Sequence, residues 1–449
     1  MEKLRARLRG RLILPSDEGY DAARRIYNAM IDKRPAMIAE CAGVADVITA
    51  VNYARENNLL AAVRGSGHNV AGNALCDDGM VIDLGPMKGV RVDPAARTAR
   101  AQAGVTWNEF DRETQAFGLA TTGGTVSTTG LSGLTLGGGV GWLARKHGLS
   151  CDNVLSHDVV TADGRYLTAS ATENPDLFWG LRGGGGNFGV VTSFEYRLHP
   201  VSRVLAGMLL HPLGRAKEVL RFQRDFARGA PDDLVVIAAL LHSPDGVPMA
   251  AVAPCHLGPF AEAERALRPL REFGPPVADQ VRPMSYCELQ TTMLDAAFPP
   301  GLFNYWRSSF VRNLTDPVID ILAGHFANAP NALTVVSVEH LGGAVSRVPR
   351  QDTAFNLRDG DYNLGIITRW TDPAEADKNI RWARALAAAL QPFSGDAIYV
   401  NYMAPDEAGR VKESYGAETY ERLVAVKNRY DPTNFFRLNQ NIKPEVIGV

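Results

Sequence analysis

The sequence predicts an α+β protein of two domains, and three observations carry that expectation. Its 449 residues exceed what one hydrophobic core ordinarily supports. Up to about residue 200, short apolar strands alternate with helices and are punctuated by glycine clusters. From about 205 the strands become longer and alternate in polarity between amphipathic helices, which fits an antiparallel sheet covered by helices. The composition, 46% hydrophobic and 21% charged, is that of a globular chain and excludes a disordered or fibrous one. With 47 Lys and Arg against 49 Asp and Glu, the net charge is −2, so no basic field exists to hold a nucleic acid.

In chain order, residues 21–58 read as two helices around a strand at Ile38–Cys41, the second helix running from Val44 to Asn57. Strands follow at Leu59–Val63, Met80–Leu84 and Thr98–Ala103, then a helix from Trp107 to Phe117. Glu195–Pro200 closes the first region. Beyond it, strands are expected at 234–241, 249–255, 333–341 and 362–370, the first pair joined as a hairpin by Ser243-Pro-Asp-Gly246. Helices are expected over 260–273 and 374–390. The final stretch, Tyr399 to Pro444, reads again as βα, with a helix over 419–430 stopped by Asp431-Pro432.

The N-terminus lacks an apolar leader core and a small-residue cleavage site, and the longest apolar runs are too short to cross a bilayer. Five cysteines, odd in number and without a C-x-x-C pair, suggest neither a disulfide framework nor a zinc site. A soluble cytoplasmic protein is expected, with a secreted chain trimmed of its leader as the alternative.

Three glycine clusters carry the chemistry. Arg64-Gly-Ser-Gly-His-Asn69 follows an apolar strand, and its small residues let backbone N–H groups converge on an anion such as a diphosphate. Gly130 to Trp142 is too glycine-rich for an ordinary helix start, which brings its backbone close to a flat ligand or a diphosphate. Gly183 to Gly189 contains G-x-G-x-x-G, but a helix precedes it and a strand follows. That order is the reverse of a nicotinamide-binding fingerprint, so a Rossmann site is rejected. His68 stands among the proposed diphosphate-binding amides, where its imidazole could act as a nucleophile toward an electrophilic methyl group.

These segments, in this order, resemble the berberine-bridge-enzyme-like branch of the vanillyl-alcohol oxidase superfamily of covalent flavoprotein oxidases. The likeness runs through Tyr20–Asn28, Arg34-Pro-Ala-Met-Ile38, Arg64–His68, Gly137–Trp142, Arg145-Lys-His-Gly-Leu149, Asp152-Asn-Val154, Asp176–Val190, Tyr399-Val-Asn-Tyr402 and Tyr420–Pro444. The resemblance implies a two-domain FAD-binding fold, with residues 1–204 and a C-terminal segment, 396–449, around a substrate domain of 205–395. It implies FAD joined through His68. Valine stands at 126, where many relatives carry a second, cysteine tether, so a single bond is expected, as in the sub-branch containing 6-hydroxynicotine oxidase.

By the same resemblance, Arg64, Gly65, Ser66, Gly67, His68 and Asn69 wrap the diphosphate. Gly124, Thr125, Thr129, Gly130, Gly133, Leu134, Gly139, Gly141 and Trp142 line the flavin and its phosphates. Asn153, Val154, Gly189 and Val191 approach the adenosine, and Tyr399, Asn401, Asn439 and Asn441 reach the flavin from the tail. The activity implied is removal of a hydride from a C–O or C–N carbon of a small molecule, with dioxygen as the expected acceptor. A dehydrogenase using another acceptor, a sugar or alcohol substrate, and a flavin-carrying module without turnover remain as alternatives.

Hydride transfer often needs a base for the substrate's O–H or N–H. Tyr402 is the first candidate, and His340, a polar tip on an apolar strand face with Val336 and Val338, is the second. Tyr362, Leu364, Ile366, Thr368 and Trp370 share a face of another strand, and Tyr305 and Trp306 add aromatic bulk from a third; core packing is the favoured reading of these faces, with a pocket wall over the flavin as the alternative. Arg369 and Glu339 read as structural or surface ion pairs. No metal-ligand set, nucleic-acid partner or membrane partner is expected.

Overall fold

A computed structural model describes residues 1–359, 362–395 and 398–445. Two sheets and a two-stranded pair, Leu119–Ala120 with His199–Pro200, occupy the first region. In the four-stranded one, Met37–Glu40 and Ala61–Arg64 flank Met80–Asp83 in parallel, and Arg11–Ile13 pairs antiparallel with the outer edge of Met37–Glu40. These parallel strands are buried on both faces, hence their unbroken apolar runs. The five-stranded sheet is antiparallel throughout, in the order Val90–Asp93, Thr98–Gln102, Val190–Arg197, Val154–Val160, Tyr166–Ser170.

The second region is dominated by one large antiparallel sheet. Its main path runs Ala278–Asp279, Leu209–Pro212, Pro248–His256, Leu234–His242, Val335–His340, Tyr362–Trp370, Phe303–Val311. The expected hairpin is present: Leu234–His242 pairs with Pro248–His256, and Ser243 and Gly246 close the turn through backbone hydrogen bonds. Helices Ala216–Arg228, Phe260–Glu272, Asp316–Phe326 and Ala376–Leu390 cover one face. Between them and the sheet lies a core that includes Val336, Val338, Tyr362, Leu364, Ile366 and Trp370. The other face packs in part, through Val235, Ala253 and Cys255, against Trp142, Leu143, Tyr286 and Leu289, and in part borders a cavity.

Two expectations need correction. The helix expected near residue 21 is a single turn, Tyr20–Ala23, and the next 13 residues are irregular. The C-terminal stretch contains no strand among the described residues. It runs through short 3₁₀ turns into helices Val411–Tyr415 and Ala417–Tyr430, and the segment boundary expected at 396 falls on residues outside the description. The tail is bound to the rest by buried polar groups: Lys427 donates to Asp431 at 2.7 Å, to the Asn187 carbonyl at 2.8 Å and to the Phe436 carbonyl at 2.9 Å. Asn187, in the third glycine cluster, in turn accepts the Ile442 N–H at 2.9 Å.

No helix among the described residues is long and apolar enough to cross a membrane. All five cysteines are free.

Candidate active site

A cavity of about 990 Å³ separates the glycine segments from part of the other face of the large sheet, at the upper end of the range for ligand pockets. One wall is built largely of backbone: Gly65 to Asn69, Gly124, Thr125, Thr129, Gly130, Gly133, Leu134, Gly189 and Val191, with Trp142 beside them. Tyr399, Asn401, Tyr402 and Asn439 complete it from the C-terminal segment. The opposite wall is the sheet, presenting Ile237, Ala239, Ala251, Ala253, Trp306, Val335, Ser337, Glu339, Ile367 and Arg369.

His68 lies on this cavity, and its Nε2 is buried with no hydrogen-bond partner. Its ring stacks on Tyr27, centroids 3.8 Å apart and planes at 21°. Burial drives its pKa down to about 4, so near neutral pH the imidazole is uncharged and keeps a free lone pair. Tyr27 comes from the irregular stretch after the one-turn helix, and composition and periodicity gave no cue to it. Val126 lines the cavity too, packed with Tyr27, Val70, Phe298, Trp306 and Ile367.

Tyr399 organises the second glycine cluster. Its phenol oxygen accepts from the N–H groups of Gly139 at 3.1 Å and Val140 at 3.4 Å, and from Asn401 Nδ2 at 2.9 Å. Burial pushes its pKa up to about 12, so it remains a phenol. Gly138 and Gly139 have φ of +119° and +91°, a region in which side chains are strained. A Cβ at Gly137 would strike the Asn401 amide.

The catalytic candidates separate. Tyr402 borders the cavity, edge-on to Trp306 at 5.4 Å between centroids. Its hydroxyl points to Glu339 Oε1 at 3.4 Å. Burial, then the Glu339 charge, raise its pKa well above the usual phenol value, which makes it a donor rather than a base. His340 is a correction: it is not on the cavity. Its Nδ1 receives Arg145 Nη1 at 2.9 Å and its ring lies 4.9 Å from that of Tyr362. Burial and the Arg145 charge bring its pKa down to about 4.

Glu339, which sequence reasoning assigned to an ion pair, occupies the place expected of His340. It accepts from Asn363 Nδ2 at 2.8 Å and Ser337 Oγ at 3.2 Å, and burial raises its pKa above the usual carboxyl value. Arg369 also faces the cavity, without an acidic partner among the described residues.

Several other expected contacts lie off the cavity. Arg64 is 7% exposed, its guanidinium held by Asp83 and the Ala23 carbonyl, each at 2.5 Å, so only its neighbours face the ligand space. Gly139 and Gly141 are small because Ser150 and the Gly123 backbone press on them. Asn153 is consumed by the His147 and Leu149 carbonyls and His199, and Val154 packs into the core. Asn441 is half-buried away from the cavity.

The comparisons agree with this geometry. A family profile described as an FAD binding domain matches residues 35–170, and one described as berberine and berberine like matches 398–443. An FAD-linked oxidoreductase of Bacillus subtilis is 33% identical over 99% of this chain and 98% of its own. The chain belongs to the berberine-bridge-enzyme-like family of FAD-linked oxidoreductases. Within that family, (R)-6-hydroxynicotine oxidase of Paenarthrobacter nicotinovorans is 34% identical over 98% of this chain and 97% of its own. The crystal structure of 6-hydroxy-D-nicotine oxidase from Arthrobacter nicotinovorans superposes with a TM-score of 0.88 at 33% identity, covering 98% of each chain. Xylooligosaccharide oxidase from Myceliophthora thermophila shares the fold, with a TM-score of 0.88 at 23% identity over 99% of each chain.

The cavity fits the cofactor of this family. His68 lines it, and its buried Nε2 has no hydrogen-bond partner among the described residues. A Cβ at Gly133 or Gly186, both cavity residues, would meet no protein atom within 4 Å, so the space beside these backbones is free for a ligand. Among the described residues no group of three His, Cys, Asp or Glu side chains is placed to hold a metal ion.

Proposed function

We propose that this FAD-linked oxidoreductase removes a hydride from a C–O or C–N carbon of a small molecule, with FAD held by one covalent bond to His68. The observation that carries the reading is one cavity lined both by His68, whose Nε2 is unpartnered among the described residues, and by the Tyr402–Glu339 pair. Bound FAD supplies a two-electron acceptor. Gly65 to Asn69, Gly124 to Gly133 and the tail residues Asn401 and Asn439 would hold it.

The chain's own groups do the rest. Tyr27 fixes the imidazole plane of His68, and burial keeps that imidazole neutral and nucleophilic. Val126 offers no second attachment. Glu339, ionised, takes the proton from the substrate's hydroxyl or amine, while Asn363 and Ser337 hold its two oxygens in place. Tyr402 donates to Glu339 and, with Trp306, walls the substrate space. The sheet face excludes water around the reacting carbon.

An aromatic or otherwise apolar amine or alcohol is favoured over a carbohydrate, because Trp306, Phe298, Ile367 and Val335 gather an apolar surface beside Tyr402. Dioxygen is the proposed acceptor. Candidate amines and alcohols mixed with the protein under nitrogen should bleach the flavin absorbance, and admitted air should restore it within seconds. Restoration that takes minutes would replace the oxidase by a dehydrogenase, and a broad screen without bleaching would defeat the catalytic reading.

A further inference from the structure

Arg369 and Glu339 are the only Lys, Arg, Asp or Glu side chains on the cavity wall among the described residues. They stand on one sheet face. Glu339 lies opposite Asn363, six positions before Arg369 on the neighbouring strand, so the two are about 20 Å apart along the sheet. Glu339 belongs to the reacting end with Tyr402. Arg369 has no role there.

The arginine is 2% exposed. Its Nε and Nη2 donate to the Leu333 carbonyl at 3.1 and 2.8 Å, and Nη1 donates to the Ala297 carbonyl. The guanidinium lies 4.0 Å from the centre of the Phe298 ring. Three of its five N–H bonds are thereby used, leaving one on each terminal nitrogen. Burial lowers its pKa only to about 10, so it stays charged. A buried guanidinium without a counter-ion is costly, and every partner it has is a neutral carbonyl or ring.

We propose that Arg369 binds the carboxylate of the substrate, so that the molecule oxidised is an organic acid whose reacting carbon and carboxylate lie at opposite ends. This rests on the proposed oxidoreductase reading. One cation, with the one carboxylate of the wall about 20 Å away along the same face, suits a monoanion, and one free N–H on each terminal nitrogen of a rigid guanidinium suits the two oxygens of a carboxylate. The span is set by the sheet. Ile367 is level with Trp306, and Arg369 projects from the same face two residues further, about 7 Å on. Tyr402 touches the position of Gly365, about 13 Å from Arg369 by the same rise. An aromatic group beside Trp306 and Tyr402 would thus place its carboxylate on Arg369 through a short chain.

The test is calorimetric titration of the holoenzyme with benzoate, phenylacetate, 3-phenylpropionate and 4-phenylbutyrate, each beside its carboxamide, in the wild type and in Arg369→Met and Arg369→Lys. The best acid is expected to bind at least about tenfold more tightly than its amide. The preference should vanish in Arg369→Met through loss of acid affinity alone and survive in Arg369→Lys. Equal binding of acid and amide by the wild type, or no binding of any acid, would overturn the proposal. So would a preference that persists in Arg369→Met, or loss of bound flavin in that variant, which would assign the arginine to the cofactor. Should Arg369→Met not fold, the wild-type comparison and Arg369→Lys decide alone. The heat signal needs no redox turnover, so failure of the oxidoreductase reading would leave this result standing by itself.

Discussion

A carboxylate placed with its oxygens on Asn363 and Ser337 and a phenol pointing at it sets the pH behaviour expected of the enzyme. Glu339 acts as a base only when ionised, and burial raises its pKa above the ordinary carboxyl value. Turnover should therefore rise with pH through that raised value and level off above it. In Glu339→Gln, kcat should fall by roughly 10²–10⁴-fold and the acidic limb should disappear, with flavin content unchanged. Tyr402→Phe should lower kcat far less, because its phenol is held protonated. A steady-state pH profile of the three proteins checks both. A Glu339→Gln variant that keeps the acidic limb would show that another group titrates.

The strands expected at 59–63, 80–84, 98–103, 234–241, 249–255, 333–341 and 362–370 lie within a residue or two of those observed. Val154–Val160, Tyr166–Ser170 and Leu209–Pro212 were not anticipated, and the C-terminal stretch lacks the strand expected of it among the described residues. Which strand face met the ligand was not legible. Period two correctly placed Val336, Val338 and His340 together and, one strand over, Tyr362 with Leu364 and Ile366. Core packing, the favoured reading of that apolar face, is what the structure shows for Val336, Val338, Tyr362, Leu364 and Ile366, which fill the core under the helices; only His340 was taken from that face as a base, while the mixed set Val335, Ser337, Glu339 faces the cavity. A ligand wall tolerates polar groups that a packed core excludes, so the more polar face was the informative one. The turn at 64–69 was legible because glycines before a histidine are an unusual local demand. Tyr27 was not, because a stacking partner 41 positions from His68 leaves no local pattern. Helix Ala417–Tyr430 was expected, but not the ammonium on it that ties it to the third glycine cluster. Lys427 and Asp431 are both fully buried, so Lys427→Met, which strands one charge, should cost about 3–5 kcal/mol. The double variant Lys427→Met/Asp431→Leu should recover part of it. Denaturant unfolding followed by tyrosine fluorescence would measure both.

At the scale of the whole molecule, the cavity exists because the glycine-bearing region and the large sheet are clasped together by buried polar contacts. Arg358 pairs with Asp152 through both carboxylate oxygens, at 2.7 and 3.1 Å. Gln290, on the helix Tyr286–Thr292, donates to Asp111 and to the Gly124 carbonyl, each at 3.0 Å. Burial raises the Asp111 pKa from 3.8 to about 7. A folded pKa above the unfolded one means that the folded state holds the proton more tightly, so this stabilisation is full below pH 3.8 and is lost as pH rises through 7. Three units correspond to about 4 kcal/mol. Thermal stability should fall between about pH 4 and about pH 7 and level off above that, and Asp111→Asn should flatten that slope. An Asn variant with the wild-type slope would assign it to another group.

All of this serves a cofactor held in one place, and His68 is where that placement is most directly tested. The purified protein and a His68→Ala variant should be denatured, separated on a gel and illuminated for flavin fluorescence. A fluorescent wild-type band that is absent from the variant is the expected result. Wild-type protein that releases all its flavin on denaturation, or a variant that still carries it, would contradict attachment through His68.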